Sequence, residues 1–169
     1  MSAAWRIQTG IPVDTPHVVA LMEQYWTLEG IAGFESATLC QLLGDLLSQP
    51  HLGTVWIARE GSALVGYLIA VYVFSFEYQG LIAEIDELFV LPHARRHGLG
   101  TALLDIAEAA LADAGCTFVQ LQLGAANRTA RTFYDRRGYA ARAGYELLGK
   151  RLPAAGIPGA GRQAEIRNV

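Results

Sequence analysis

The sequence has little of what would tie it to a membrane, a metal or a nucleic acid. Its two cysteines, Cys40 and Cys116, stand far apart in 169 residues and match no metal-ligand spacing, so neither a disulfide framework nor a zinc site is expected. They read as reduced, packed thiols of a cytosolic protein. The opening Met1-Ser2-Ala3-Ala4-Trp5-Arg6 lacks the apolar core of a signal peptide, and no unbroken apolar run approaches the ~18 residues of a membrane span. A soluble cytoplasmic chain is expected. Basic residues are not in excess: the formal charge is −3, which leaves no field for gripping a phosphate backbone. A small cationic molecule is the better partner.

What is present is a core. Apolar residues make up 52% of the chain and charged residues 17%, which excludes a disordered protein, and the length suits one domain. The apolar share is slightly above that of an ordinary soluble domain, leaving surface for a partner subunit.

The patterning predicts a strand at Trp5-Arg6-Ile7-Gln8, then a helix entered through Asp14-Thr15-Pro16, where N-cap residues precede a proline suited to a first turn. Val18, Met22, Tyr25 and Glu29, with Leu21 beside Met22, recur at helical spacing. A second helix over 36–48 carries Leu39, Leu42, Leu43, Leu46 and Leu47 and is stopped by Pro50. Two β-rich runs, 54–59 and 64–74, flank Glu60-Gly61-Ser62 and suit an antiparallel hairpin. A third run, 81–90, ends before Pro92, and a glycine-containing turn leads into a helix over 99–114 closed by Gly115. Alternation over 117–123 predicts a further strand. Asn127 caps a helix to Arg137, closed by Gly138, and 139–152 are expected to supply two last short strands. The Pro/Gly/Ala-rich tail 153–169 lacks periodicity and is expected to be loose, outside a domain spanning 1–152. The order predicts an α/β fold with a mixed, mostly antiparallel sheet of about six to seven strands and helices on both faces.

Chemistry concentrates in Arg95-Arg96-His97-Gly98-Leu99-Gly100-Thr101, between a strand and a helix N-terminus. The first N–H groups of a helix are unpaired and carry partial positive charge, and glycines let an anion come close to the backbone. A diphosphate is the natural guest, with Arg95 and Arg96 adding donors. A nucleotide-triphosphate loop is excluded because no Gly-Lys-Ser or Gly-Lys-Thr is present, and the third glycine of a dinucleotide fingerprint is missing.

With these residues in place, the chain resembles the GCN5-related N-acetyltransferase (GNAT) family. The family signature is Arg or Gln, two residues, Gly, one residue, then Gly or Ala; here it is Arg95-x-x-Gly98-x-Gly100. The resemblance extends to Ile85-Asp86-Glu87-Leu88-Phe89-Val90 with Pro92, and to Asn127-x-x-Ala130-x-x-Phe133-Tyr134-x-x-x-Gly138-Tyr139. Asp86 to Val90 and Phe133 to Gly138 look most like members that acetylate polyamines and related small amines. The resemblance implies acetyl-coenzyme A as cosubstrate, with the backbone of Leu88, Phe89 and Val90 along its pantetheine arm. Amides from Arg96 to Thr101 would hold its diphosphate, and Asn127 would contact it. Tyr134 matches the general acid beside the departing sulfur, Asp86 the carboxylate that draws in the amine and takes its proton through water, with Glu87 as alternate. A homodimer is a family-level expectation.

Alternation places Glu84 and Asp86 on one strand face and Glu87 on the other, provided no bulge intervenes. Glu77, between aromatics in Phe74-Ser75-Phe76-Glu77-Tyr78, suits an alkylammonium by charge and cation–π attraction. His93 and His97 lie in the loop without metal-ligand company, and no metal is expected. Transfer to a protein lysine or N-terminus, or a coenzyme-A-binding domain without turnover, are the competing readings.

Overall fold

The computed structural model describes residues 5–150 and 152. The expected tail, 153–169, lies outside these residues. β1 (Trp5–Thr9) leads through a short 3-10 turn into α1 (Thr15–Glu29), followed by α2 (Ser36–Ser48), β2 (Gly53–Glu60), β3 (Ala63–Ser75) and β4 (Gly80–Val90). Then come α3 (Leu99–Asp113), β5 (Val119–Leu121) and α4 (Arg128–Asp135). The sheet runs in order β1-β2-β3-β4-β5, antiparallel throughout except for the parallel pair β4 and β5.

Period-two alternation divides the core between the two faces. Val55, Ile57, Tyr67 and Ile69 join Val18, Val19, Met22 and Leu43 of α1 and α2. Trp56, Ala58, Leu68 and Ala70 join Leu99, Leu103, Leu104 and Leu111 of α3, with Tyr134 of α4. Gly66 is where β3 runs tight against its neighbour: a Cβ there would meet the Phe89 carbonyl at 2.9 Å.

The sheet has five strands among the described residues, not the expected six to seven. The two strands expected over 139–152 do not form there. Gly144, at φ +79, interrupts extended backbone, and the surrounding Ala140, Ala141 and Ala143 have little to pack on a pleated surface. Side chains hold this segment instead: the Tyr139 hydroxyl donates to Glu108 at 2.8 Å and Arg142 pairs with Glu77. β5 is also shorter than the expected 117–123. Its pairing with β4 ends at Ile85 opposite Leu121.

The cause is a bulge. On β3, Ile69 pairs with Glu87 and the next residue, Ala70, with Ile85. Asp86 is the extra residue, and the parity of β4 changes across it. Ile85 belongs to the α3 and α4 side of the core, whereas Phe89, four residues on, belongs to the α1 and α2 side. Uninterrupted alternation would have put both on one face, so the expected split of Glu84 from Glu87 is overturned. Glu87 lies on the same sheet face as Glu84 and bonds to Trp26 of α1, and Asp86 sits at the kink.

Candidate active site

Beyond the bulge, β4 and β5 diverge, and the edge of β4 that faced β5 is left open. The Leu91 N–H donates to Val65 on β3 at 2.9 Å, so in this antiparallel ladder the N–H and C=O of Val90, and of Leu88 two residues earlier, point away from β3. Arg95 reaches this edge: its Nε donates to the Val90 carbonyl at 2.7 Å, and its guanidinium lies 5.5 Å from the Phe89 ring centre. Arg95 thus pins the loop to the strand it leaves, a role the signature pattern did not announce.

The loop then enters α3 without a side-chain cap. Arg96 at φ +65 and Gly98 at φ +86 turn the chain sharply, and Gly98 is the N-cap residue. Only glycine adopts the second of these without steric cost. Arg96, His97 and Gly98 are exposed, while Leu99 is buried in the core and anchors the helix start. Gly100 and Thr101 lie in the first turn, and a Cβ on Gly100 would approach Phe133 only to 3.9 Å. The small residue therefore leaves space rather than relieving a clash. An uncapped positive helix end beside an open strand edge fits a ligand with a diphosphate and an amide-bearing arm.

A pocket of about 90 Å³ opens in the gap between β4 and β5. Tyr25 and Glu29 from α1, Asp86 and Leu88 from β4, and Asn127 and Tyr134 from the two ends of α4 converge there.

Tyr134 is held firmly. Its residue is 8% exposed, its ring lies 5.1 Å from Phe133 and 5.3 Å from Tyr139, and Arg137 pairs with Asp105 and Glu108 of α3. Among the described residues its hydroxyl has no hydrogen-bond partner. Burial pushes its pKa up to about 12, with Tyr25 adding to the shift, so the phenol stays protonated at neutral pH. Asp86 is exposed at the pocket, and partial burial followed by Glu84 raises its carboxyl above the usual range. Glu87 is the opposite case: 7% exposed, it accepts from Trp26 Nε1 and from the Tyr67 hydroxyl, each at 2.7 Å. Desolvation raises its pKa, opposed by those two donors. Asn127 caps α4 as expected, accepting from Ala130 N–H at 3.0 Å, and donates to Glu29 at 3.2 Å.

The structure does not bring Glu77 to the pocket. It lies at the β3–β4 turn, exposed and paired with Arg142, whose guanidinium stacks 3.4 Å from the Tyr145 ring centre. Tyr25 and Glu29 are the site residues the sequence reading missed. The available signal was Glu29 itself, an acid on the otherwise apolar stripe of α1. No group of three or more His, Cys, Asp or Glu among the described residues is arranged to hold a metal ion, and no described helix is long and apolar enough to cross a membrane.

Comparison with known proteins bears on the family and the fold. The model of the acetyltransferase (GNAT) family matches residues 18–139. An uncharacterized N-acetyltransferase of Bacillus subtilis, YhfO, is 32% identical over 104 residues, covering 62% of this chain and 70% of that protein. The aminoglycoside N(6')-acetyltransferase type 1 of Klebsiella aerogenes is 27% identical over 63% of this chain and 72% of its own length. The aminoalkylphosphonate N-acetyltransferase of Salmonella typhimurium is 34% identical, but the match spans 49% of this chain and 54% of that protein. Among solved structures, an integron cassette protein from the mobile metagenome of Cole Harbour Salt Marsh superposes with a TM-score of 0.76 at 31% identity, over 87% of this chain and 90% of the other. An aminoglycoside N-acetyltransferase, AAC(6')-Iy, crystallised with CoA, shares the fold at a TM-score of 0.77 and 16% identity, over 90% and 98% of the two chains. The chain belongs to the acetyltransferase (GNAT) family and is an acetyl-CoA-dependent N-acetyltransferase.

Proposed function

We propose that the protein transfers the acetyl group to a primary amine of a small cationic molecule by direct attack, with Tyr134 as general acid and Asp86 as the carboxylate that receives the amine. The observation that carries this reading is the joint placement of Asp86 and the unpartnered Tyr134 hydroxyl in one pocket beside the open edge of β4. In this reading the Leu88–Val90 edge, the loop from Arg95 to Thr101 and Asn127 hold acetyl-CoA, which supplies an activated thioester carbonyl.

An alkylammonium of pKa near ~10.4 cannot attack until it loses a proton. Asp86 draws the cation in and passes that proton to water, and its raised pKa brings it closer to the pH at which it must accept. The amine nitrogen then bonds to the carbonyl carbon while the C–S bond breaks. In this mechanism the Leu88 N–H on the free edge serves as the donor to the carbonyl oxygen. Tyr134 donates its proton to the departing sulfur and regains one as the amide nitrogen sheds its second. The net products are an amide, a thiol and one proton. Glu87, with both oxygens already accepting, orders Trp26 and Tyr67 behind the site instead of facing the amine.

The reading treats residues 1–152 as one catalytic domain. It also takes the working form as a homodimer, for which Phe74 and Phe76, 70% and 90% exposed, offer apolar surface. The test is thiol release from acetyl-CoA across polyamines, aminoglycosides, amino acids and lysine peptides, with product mass. One acetyl added to a small amine is expected. Transfer only to lysine peptides, or binding of acetyl-CoA with no transfer to any acceptor, would sink the reading.

A further inference from the structure

Among the described residues, none of the acids at or beside the pocket has an arginine partner. Asp14, Glu77, Asp105, Glu108 and Asp135 each pair with an arginine. By contrast, Glu29, Glu84 and Glu87 accept only from neutral donors: Asn127 Nδ2 at 3.2 Å, Gln120 and Gln122 Nε2 at 2.8 and 2.9 Å, and the Trp26 and Tyr67 groups. No lysine, arginine or histidine is among the described residues that line the pocket. Glu29 is placed against local helix electrostatics: it is the last residue of α1, where the unpaired carbonyls favour a cation, and Gly30 follows it at φ +67. Its amide partner, Asn127, is itself fixed by capping α4, so one bond orients the carboxylate across the pocket without neutralising it. Tyr134, 8% exposed as a residue and with no described partner for its hydroxyl, lines the same space, which distinguishes it from an idle acidic surface.

We infer that Glu29 is a specificity residue that binds a second cationic group of the acceptor, so that the pocket selects diamines and larger polycations over monoamines and over amines that carry an anion. Resting on the proposed reading above, the division of labour is simple. Asp86, at the kink of β4, receives the nitrogen to be acetylated, and Glu29, at the end of α1, holds the other ammonium. A carboxylate with a neutral partner gains more from an arriving cation than one already paired with arginine, because no existing ion pair must be broken. A phosphonate or carboxylate on the acceptor would face two acids with no compensating cation, which disfavours acceptors of the aminoalkylphosphonate kind.

The experiment compares 1,4-diaminobutane, butylamine and 2-aminoethylphosphonate as acceptors for the full chain and for Glu29→Gln and Glu29→Lys. The expected kcat/KM for the diamine exceeds that for the monoamine about tenfold, through KM, by the size of a single charge-assisted contact. Glu29→Gln is expected to abolish that ratio, and Glu29→Lys to move preference toward the aminophosphonate. Glu29 is exposed, so neither variant threatens folding. An undiminished diamine preference in Glu29→Gln, alongside working catalysis, overturns the inference and leaves the amine acetyltransferase reading intact. Absence of transfer to every amine strikes that reading instead. Calorimetry on the CoA-loaded protein still decides the role of Glu29 in that case: diamine binding tighter than butylamine binding and weakened in Glu29→Gln supports it, and equal binding of the two overturns it.

Discussion

The two halves of β4 make different use of the same strand. From Ala83 to Ile85 the backbone is paired on both sides, with β3 and with β5, and the Ala83 N–H donates to Phe118 at 3.0 Å. From Glu87 to Val90 it is paired with β3 only. One extra residue, Asp86, separates a half that holds the sheet together from a half whose Leu88 N–H and C=O and Val90 N–H have no strand partner. The difference shows how a site is cut into a sheet: a bulge ends one ladder without disturbing the other, and it aims an acid into the gap it creates. An unpaired edge is ordinarily a liability that proteins cover or charge. Here the pocket and the uncapped end of α3 lie beside it, so the ligand that fits them also covers it.

Proline substitution separates the halves most sharply. Ala83→Pro removes a buried donor bonded to Phe118, just before β5, and is expected to destabilise the protein by about 3 kcal/mol, read as a drop in thermal midpoint with loss of cooperative unfolding. Leu88→Pro deletes an N–H that has no strand partner. Its expected effect is on the ligand and the reaction: the KM for acetyl-CoA rises about tenfold, equivalent to about 1.4 kcal/mol, and kcat falls by about 10²-fold as the donor to the carbonyl oxygen is lost, with far less loss of stability than at position 83. Equal losses of stability at the two positions would erase the distinction.

The smallest effect concerns the bulge residue. The Asp86 carboxyl is raised from its ordinary 3.8 by burial and by Glu84. A raised acid favours the folded protein while protonated, so its contribution is present below the ordinary value and lost as pH climbs through the raised one. Asp86→Asn does not ionise and escapes that loss. Relative to the parent, its stability is expected to be equal near pH 3 and slightly greater at pH 7, by less than about 0.5 kcal/mol after solvent screening, or about 1–2 °C. Its kcat/KM for the amine is expected to fall over the same range by at least about 10²-fold, the lower end of a general-base contribution. A stabilised variant with undiminished activity would remove Asp86 from the chemistry.

Local signals made much of the fold legible. The leucine stripe and Pro50 delimit α2 at Ser36–Ser48, as the sequence predicts, and Asn127 is both an expected and an observed cap. The Gly98 turn into α3 could be read because a glycine N-cap and a buried Leu99 are local requirements. The bulge was not legible, because it is decided by the register of β4 against β3, and neither strand's own pattern records it. The same omission hid the early end of β5 and the turn of Glu87 toward α1. Glu29 and Tyr25 were placed on a helix but not at the site, since only tertiary packing carries the end of α1 over the gap. The apolar residues of 139–152 gave a strand signal, but Gly144 and side-chain ties to Glu77 and Glu108 prevailed.

The central claim is that the open half of β4 and Tyr134 form one catalytic centre. Its most direct test is Tyr134→Phe, which removes a hydroxyl with no described partner and keeps the ring packing. The expected result is kcat lower by about 10²-fold, near the lower end of an acid–base contribution, with acetyl-CoA affinity by calorimetry and thermal stability unchanged. Full kcat in Tyr134→Phe would contradict the account.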